Sequence, residues 1–232
     1  MSLAPEDSVF ARLKAACPDD WSAYVEHDFV RQLGAGTLPE ACFRHYLAQD
    51  YVFLVHFSRA YALAATKADD LEDMRQAAAT LDALLNTEMR LHVTFCAGWG
   101  LSEADMAAVA EAPQNLAYTR FVLDRGHAGD LLDLLVALAP CVVGYGEIGT
   151  SLGAAPKGDL KANPYRDWIE MYAGAEYQEV AGAAVAQLDR VAARRLGRDA
   201  TASPRWSALA RTFRTATRLE VGFWDMGLSP AG

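Results

Sequence analysis

Apolar residues recur at three- and four-residue spacing along nearly the whole chain, and this constrains the fold more than any other feature. A half-buried strand would show period-two alternation closed by turn residues at both ends, and no stretch shows it convincingly. The spacing predicts helices over 7–34, 39–67, 71–98, 102–126, 129–153, 163–198 (broken near Gly174) and 203–226. Between them lie GAGTLPE, KADDLED, GWGLSEAD, AAPKGDLKANPY and GRDATASP, each a loop or helix-start signal. Thr37 followed by Pro39 and Glu40, Ser102 followed by Glu103, and Asn163 before Pro164 read as helix starts. The fold class is all-α. With 232 residues, 52 % of them apolar, the chain can bury one sizeable core or at most two small ones. A single domain over residues 1–232 is the expectation.

Charge and cysteine usage exclude several classes of partner. The chain has 21 Lys and Arg against 30 Asp and Glu, a net charge of −9 that repels phosphate backbones and anionic membrane surfaces. Neither nucleic acid nor a membrane is expected as a partner. MSLAPEDSVF shows no basic flank leading into an apolar core, and the apolar run from Leu131 to Val143, carrying Asp133 and Pro140, reads as too short to span a bilayer. A soluble, cytoplasmic protein is expected. Cys17, Cys42, Cys96 and Cys141 have no metal-ligand spacing and read as reduced thiols, so neither metal nor cofactor is expected. A di-iron centre would need repeated Glu-x-x-His pairs, whereas Glu88 and His92 stand four apart and unaccompanied. Haem ligation by His27, His45 or His56 competes with the more ordinary roles of histidines on amphipathic helices, at the surface or as hydrogen-bonders in a core.

Residues 144–149, GYGEIG, match G-x-G-x-x-G literally, but the preceding LLDLLVALAPCVV has helical spacing, contains a proline and has no βαβ neighbours. A dinucleotide site is rejected. In a helix interior each glycine costs roughly 1 kcal/mol relative to alanine, so the cluster implies close helix packing or space kept for a ligand. Cys141 adjoins it, beside Pro140, which would leave the carbonyl near Val136 without its usual helical partner. Tyr145 follows Cys141 by one turn on the same face. Asp50 shares a face with Phe53 and Phe57, and Glu220 precedes Phe223 and Trp224, so each carboxylate projects from an apolar stripe where burial is costly unless it is paired. Ion pairs would explain each acid separately, and core filling would explain the aromatics, as well as a site for a flat ligand would.

FRHYLAQDYVFLVHF, YTRFVL, PCVVGYGEIG, WIEMYAG and LEVGFW, spread in this order from residue 43 to 224, resemble the TenA family, also called thiaminase II or aminopyrimidine aminohydrolase. The specific signals are the PC-x3-Y-x-E-x-G block, the aspartate in the QD-x2-F/Y-L helix and the E-x2-FW ending. The resemblance implies a haem-oxygenase-like helical bundle, a homotetramer, and hydrolysis of 4-amino-5-aminomethyl-2-methylpyrimidine to the hydroxymethyl pyrimidine and ammonia, a thiamine salvage step. It also implies cleavage of thiamine at its methylene bridge. By the same resemblance the nucleophile is Cys141, the essential acid Glu220 and the pyrimidine-binding aspartate Asp50, with Phe53, Tyr118, Tyr145 and Tyr172 lining the site. Phe53 and Tyr118 are expected to sandwich the pyrimidine ring. The VVGYGE stretch lacks the bulkier aromatics that relatives often carry, and Phe53 lacks a hydroxyl that some of them have. Rival functions are an oxygenase on the same bundle, a non-catalytic pyrimidine-binding protein, and a transcriptional regulator, against which the acidic balance speaks.

Overall fold

The computed structural model describes residues 3–154 and 156–230, apart from the side chains of 157–159, and every regular element among them is helical. In chain order these are α1 (Val9–Ala15), α2 (Pro18–Val25), α3 (Asp28–Gly34), α4 (Glu40–Lys67), α5 (Leu71–Ala83), α6 (Met89–Ala97) and α7 (Glu103–Ala107). There follow α8 (Pro113–Ala128), α9 (Leu131–Gly153), α10 (Lys157–Ala162), α11 (Arg166–Ala173), α12 (Ala175–Leu196) and α13 (Trp206–Leu228). A π-helical turn, Leu84–Glu88, joins α5 to α6, and a 3₁₀ turn, Ala200–Ala202, precedes α13. The chain forms two compact units, Met1–Leu38 with Leu135–Val221, and Pro39–Leu134 with Gly222–Gly232.

Local chemistry explains where helices stop. The segment 7–34 is three helices: Ser8 Oγ accepts from Ala11 N to start α1, Pro18 occupies the first turn of α2, and the His27 ring accepts from Phe29 N to start α3. The segment 102–126 likewise divides, because Pro113 restarts the chain as α8; ahead of it Ser102 and Asp105 form a capping box on α7. Thr37 does not start α4. Its N–H and hydroxyl both donate to Gln32 O at the end of α3, and Pro39 takes the N-cap position, where it has no side-chain oxygen to offer. Asn163 Oδ1 accepts from Tyr165 N at 2.8 Å, while its Nδ2 donates to the carbonyls of Leu33 and Gly34, tying the approach to α11 onto the end of α3. The break at Gly174 falls where expected.

In the first unit α1 packs on α12, and α11 on α12, around Phe10, Trp21, Tyr24 and Phe213. Trp21 and Phe213 stack with centroids 5.7 Å apart, and Phe10 meets both rings edge-on. In the second unit α4 is central and packs on α5, α6, α7 and α8. Helix α9 lies within the predicted 129–153, and its apolar character extends beyond the Leu131–Val143 run. At 23 residues it meets the length and composition of a membrane span, but 83 % of its most apolar window is buried by the protein itself, as in the core helix of a globular fold.

Candidate active site

In the second unit the carboxylate predicted on α4 is buried, with Asp50 only 3 % exposed. Burial of this kind is costly without hydrogen bonds, and Asp50 has two on one oxygen. Tyr46, one turn earlier on α4, donates its hydroxyl to Oδ2 at 3.1 Å, and His92 Nε2 lies 2.6 Å from the same atom. His92 Nδ1 lies 2.9 Å from the carbonyl of Glu88, the last residue of the π turn. Burial lowers the His92 pKa, yet the hydrogen bond and charge of Asp50, with the charge and carbonyl of Glu88, outweigh it and leave the imidazole above its ordinary range. In the sequence His92 bears only on metal ligation, through its spacing from Glu88. Its role rests on a partner 42 residues away, which helical spacing does not reveal. The one available signal was that a carboxylate on an apolar stripe needs a donor.

Phe53 and Tyr118, both buried, bring α4 and α8 together. Their ring centroids are 5.0 Å apart and tilted by 39°. A flat ring between two others needs about 7 Å, twice the ordinary carbon contact distance, so these rings do not form a sandwich in this structure. They form one continuous wall, which Phe57 and Phe223 extend at 5.1 and 5.3 Å from Phe53. Trp224 lies 5.3 Å from Tyr46.

The first unit holds Cys141, Tyr145, Tyr172 and Glu220. Cys17, Cys42 and Cys96 are buried, while Cys141 on α9 is half-buried. Burial pushes up the thiols of Cys17, Cys42 and Cys96, that of Cys96 to about 11, which keeps them protonated and unreactive at neutral pH. Tyr145, one turn beyond Cys141, has Tyr172 at 4.9 Å and Trp168 at 5.9 Å between centroids; Trp168 and Tyr172 are 4.5 Å apart. Tyr177 donates its hydroxyl to the carbonyl of Val142, next to the thiol, at 3.2 Å. The predicted Tyr145 and Tyr172 therefore belong to an aromatic cluster beside Cys141, which Trp168 and Tyr177 enlarge. Glu220 on α13 is 2 % exposed.

The glycines beside the thiol serve packing. A Cβ at Gly144 would stand 2.3 Å from Tyr24 Cε1, and the Tyr24 hydroxyl donates to the carbonyl of Pro140 at 3.4 Å. At Gly149 it would stand 2.4 Å from the backbone carbonyl carbon of Tyr172. The missing side chains let α2 and α11 approach α9 and hold the aromatic cluster in place. No group of three or more His, Cys, Asp or Glu able to hold a metal is found among the described residues.

The helices make this an all-α protein of the haem-oxygenase-like fold. A solved domain from Shewanella denitrificans described as having that fold matches with a TM-score of 0.70 at 13 % identity, covering 93 % of this chain and 90 % of its own, a likeness of fold alone. The model of the TENA/THI-4/PQQC family matches residues 16–229, and the chain belongs to that family. An uncharacterized protein of Haemophilus influenzae is 41 % identical over 91 % of this chain and 94 % of its own. A protein of Halalkalibacterium halodurans named aminopyrimidine aminohydrolase is 36 % identical over 89 % of each. The crystal structure of a protein from Silicibacter sp. TM1040, described as a TenA family transcription regulator, is 50 % identical, with a TM-score of 0.93 and coverage of 99 % of both chains.

Proposed function

We propose that this protein is an aminopyrimidine aminohydrolase that converts 4-amino-5-aminomethyl-2-methylpyrimidine and water to the hydroxymethyl pyrimidine and ammonia, and that it also cleaves thiamine at its methylene bridge. The observation that carries the reading is the 36 % identity, over 89 % of both chains, to a relative of that name, in a chain whose Cys141 alone among four cysteines is not buried. The aminopyrimidine does not release a methylene-bound amine directly. The Cys141 thiolate adds to the ring carbon beside the substituted position, and the displaced ring electrons settle on a ring nitrogen. Glu220 protonates that nitrogen. As the electrons return, the methylene–nitrogen bond breaks, ammonia leaves with a proton, and an exocyclic methylene remains. Water adds there, the ring nitrogen gives back its proton, and the carbon–sulfur bond breaks to restore the aromatic ring and the thiolate.

Asp50 orients the amino edge of the ring, and Phe53, Tyr118, Tyr145 and Tyr172 provide aromatic surface. The protein works without a cofactor, as a cytoplasmic homotetramer of single-domain subunits. A regulator acting through nucleic acid is disfavoured by the net charge of −9.

The test is ammonia release from the aminopyrimidine by wild type and by Cys141→Ser. Wild type should turn over, and the serine variant should lose turnover while binding the hydroxymethyl product within about tenfold, since a hydroxyl keeps the shape but is a far weaker nucleophile. Near-normal turnover by Cys141→Ser would end the covalent mechanism, and an inert wild type would end the functional reading.

A further inference from the structure

The buried Asp50 presents its two oxygens unequally. Oδ2 receives the Tyr46 hydroxyl and faces His92 Nε2, and these two contacts use both of its lone pairs. Oδ1 has no hydrogen-bond partner among the described residues, although Asp50 is 3 % exposed. His92 is constrained in turn. A carbonyl only accepts, so the 2.9 Å contact with Glu88 O puts a hydrogen on Nδ1. With Nδ1 so occupied, the 2.6 Å contact between Nε2 and Oδ2 holds one proton, carried either by an imidazolium or by the carboxyl group. The ring is 1 % exposed at its side chain and cannot exchange this partner for water.

The Glu88 carbonyl sits at the junction of the π turn and α6. Its acceptance of the His92 ring anchors the imidazole to its own helix, one turn back. The side chain then crosses to α4, where it meets the carboxylate. π turns within longer helices recur where a side chain has to be aimed.

We propose that His92 is a positioning residue for Asp50: anchored on the Glu88 carbonyl, it holds Oδ2 together with Tyr46, so that Oδ1 alone is presented to the aminopyrimidine. The inference rests on the aminohydrolase reading above and deepens it. A carboxylate that offers a single oxygen is an acceptor for one N–H, which matches the exocyclic amine of the pyrimidine edge. Protonation of the ring nitrogen then falls to another group. His92 itself touches no substrate atom in this account.

The experiment is a double-mutant cycle on the full chain, with ammonia release measured for wild type, Asp50→Asn, His92→Phe and the double variant, and for His92→Gln as rescue. Phenylalanine keeps the ring shape and removes both nitrogens, whereas the glutamine amide nitrogen can stand near the place of Nε2 and donate to Oδ2. His92→Phe should lower kcat/KM about tenfold to a hundredfold with KM raised, the usual effect of losing a group that orients a residue contacting the substrate. His92→Gln should recover most of that loss. The double variant should be no worse than Asp50→Asn alone, because His92 acts only through Asp50.

Full activity in folded His92→Phe, or losses that multiply in the double variant, would overturn the proposal while leaving the aminohydrolase reading intact. An inert wild type would overturn the aminohydrolase reading, and the role of His92 in that reaction with it. Should His92→Phe not fold, the decision passes to His92→Gln and to nitrogen NMR of the wild-type imidazole. Near-wild-type kcat and KM in His92→Gln, with an Nε2 resonance that moves on Asp50→Asn while Nδ1 stays protonated, would support the proposal. A resonance indifferent to Asp50→Asn would overturn it.

Discussion

Gly149→Ala should destabilise the protein although alanine is the better helix former. In an unobstructed helix interior the exchange gains about 0.5–1 kcal/mol. At Gly149 the new Cβ would stand 2.4 Å from the Tyr172 carbonyl carbon, 2.6 Å from its oxygen and 2.7 Å from Ala173 N. Relief to an ordinary contact of about 3.5 Å requires roughly 1 Å of backbone withdrawal. That backbone is pinned, because Gln178 Nε2 donates to Tyr172 O at 2.7 Å and to Gly146 O at 2.9 Å, bracketing α9 and the end of α11. Overpacking of a fixed neighbour costs about 1–3 kcal/mol, so the propensity gain is outweighed in most of that range. At about 2–4 °C per kcal/mol for a chain of this size, a net loss of about 1–2 kcal/mol lowers Tm by about 2–8 °C. Gly182→Ala on α12 is the control: nothing lies within 4 Å of its Cβ, and Tm should rise by about 1–4 °C. Scanning calorimetry of the two variants beside wild type measures both. Because Gly149 seats Tyr172, its variant should also lose more ammonia-releasing activity than the control. A Tm for Gly149→Ala at or above wild type would refute the close-packing account of the glycine cluster.

Thiol alkylation should modify Cys141 before Cys17, Cys42 and Cys96, which are buried and raised in pKa, and bound hydroxymethyl pyrimidine should slow it; earlier labelling of another cysteine with parallel loss of activity would move the nucleophile. Glu220→Gln should reduce kcat about a hundredfold to ten-thousandfold with little change in KM, since an amide keeps the contacts but has no titratable proton; a rise in KM alone would make Glu220 a binding residue. The His92 imidazole is raised in the folded state above its unfolded value of about 6.5, so its contribution to stability is fully present below about pH 6.5 and is lost as pH rises through the folded value. The Tm advantage of wild type over His92→Gln should therefore shrink on titration upward from pH 6.5, and an advantage constant to pH 9 would show that the pair carries no pH-linked stability. His45 and His56, whose burial lowers them, are common to both proteins and cancel in the difference.

What could be read from the sequence was whatever depends on neighbours within a few residues. Helix α4 runs Glu40–Lys67, within a residue of the apolar stripe that predicted it, and Ser102 caps α7 as its chemistry requires. Where a proline stands between two stretches of one apparent stripe, periodicity continues but the hydrogen-bond ladder does not. For that reason 102–126 reads as a single helix and divides at Pro113, and 7–34 divides at Pro18, while its second break falls where the His27 ring caps α3. Candidate site residues followed the same rule. Asp50 stood out because a carboxylate interrupts an apolar face, a local fact. Its partner did not, because the bond to His92 joins helices 42 residues apart and nothing near His92 announces it. The glycines beside Cys141 left two meanings open in sequence, and Tyr24 and the Tyr172 backbone decide between them only through tertiary contact.

The same distinction explains why helical spacing turns the aromatic residues inward while the sandwich expected of them does not form. Helical spacing turns Phe53 and Tyr118 inward on α4 and α8, but the distance between the rings depends on how closely those helices pack. At 5.0 Å the rings touch each other, so any flat ligand they serve meets the face or edge of a joint wall. A wall would leave a pyrimidine free to slide in its own plane. In-plane register must then come from directional hydrogen bonds. A carboxylate held at one oxygen by His92 and Tyr46, with the other presented, provides such a bond at a fixed place. Loosening Asp50 should therefore misplace the ring as well as weaken its binding, which is why His92→Phe and Asp50→Asn are expected to alter kcat and KM together, whereas Glu220→Gln is expected to act on kcat.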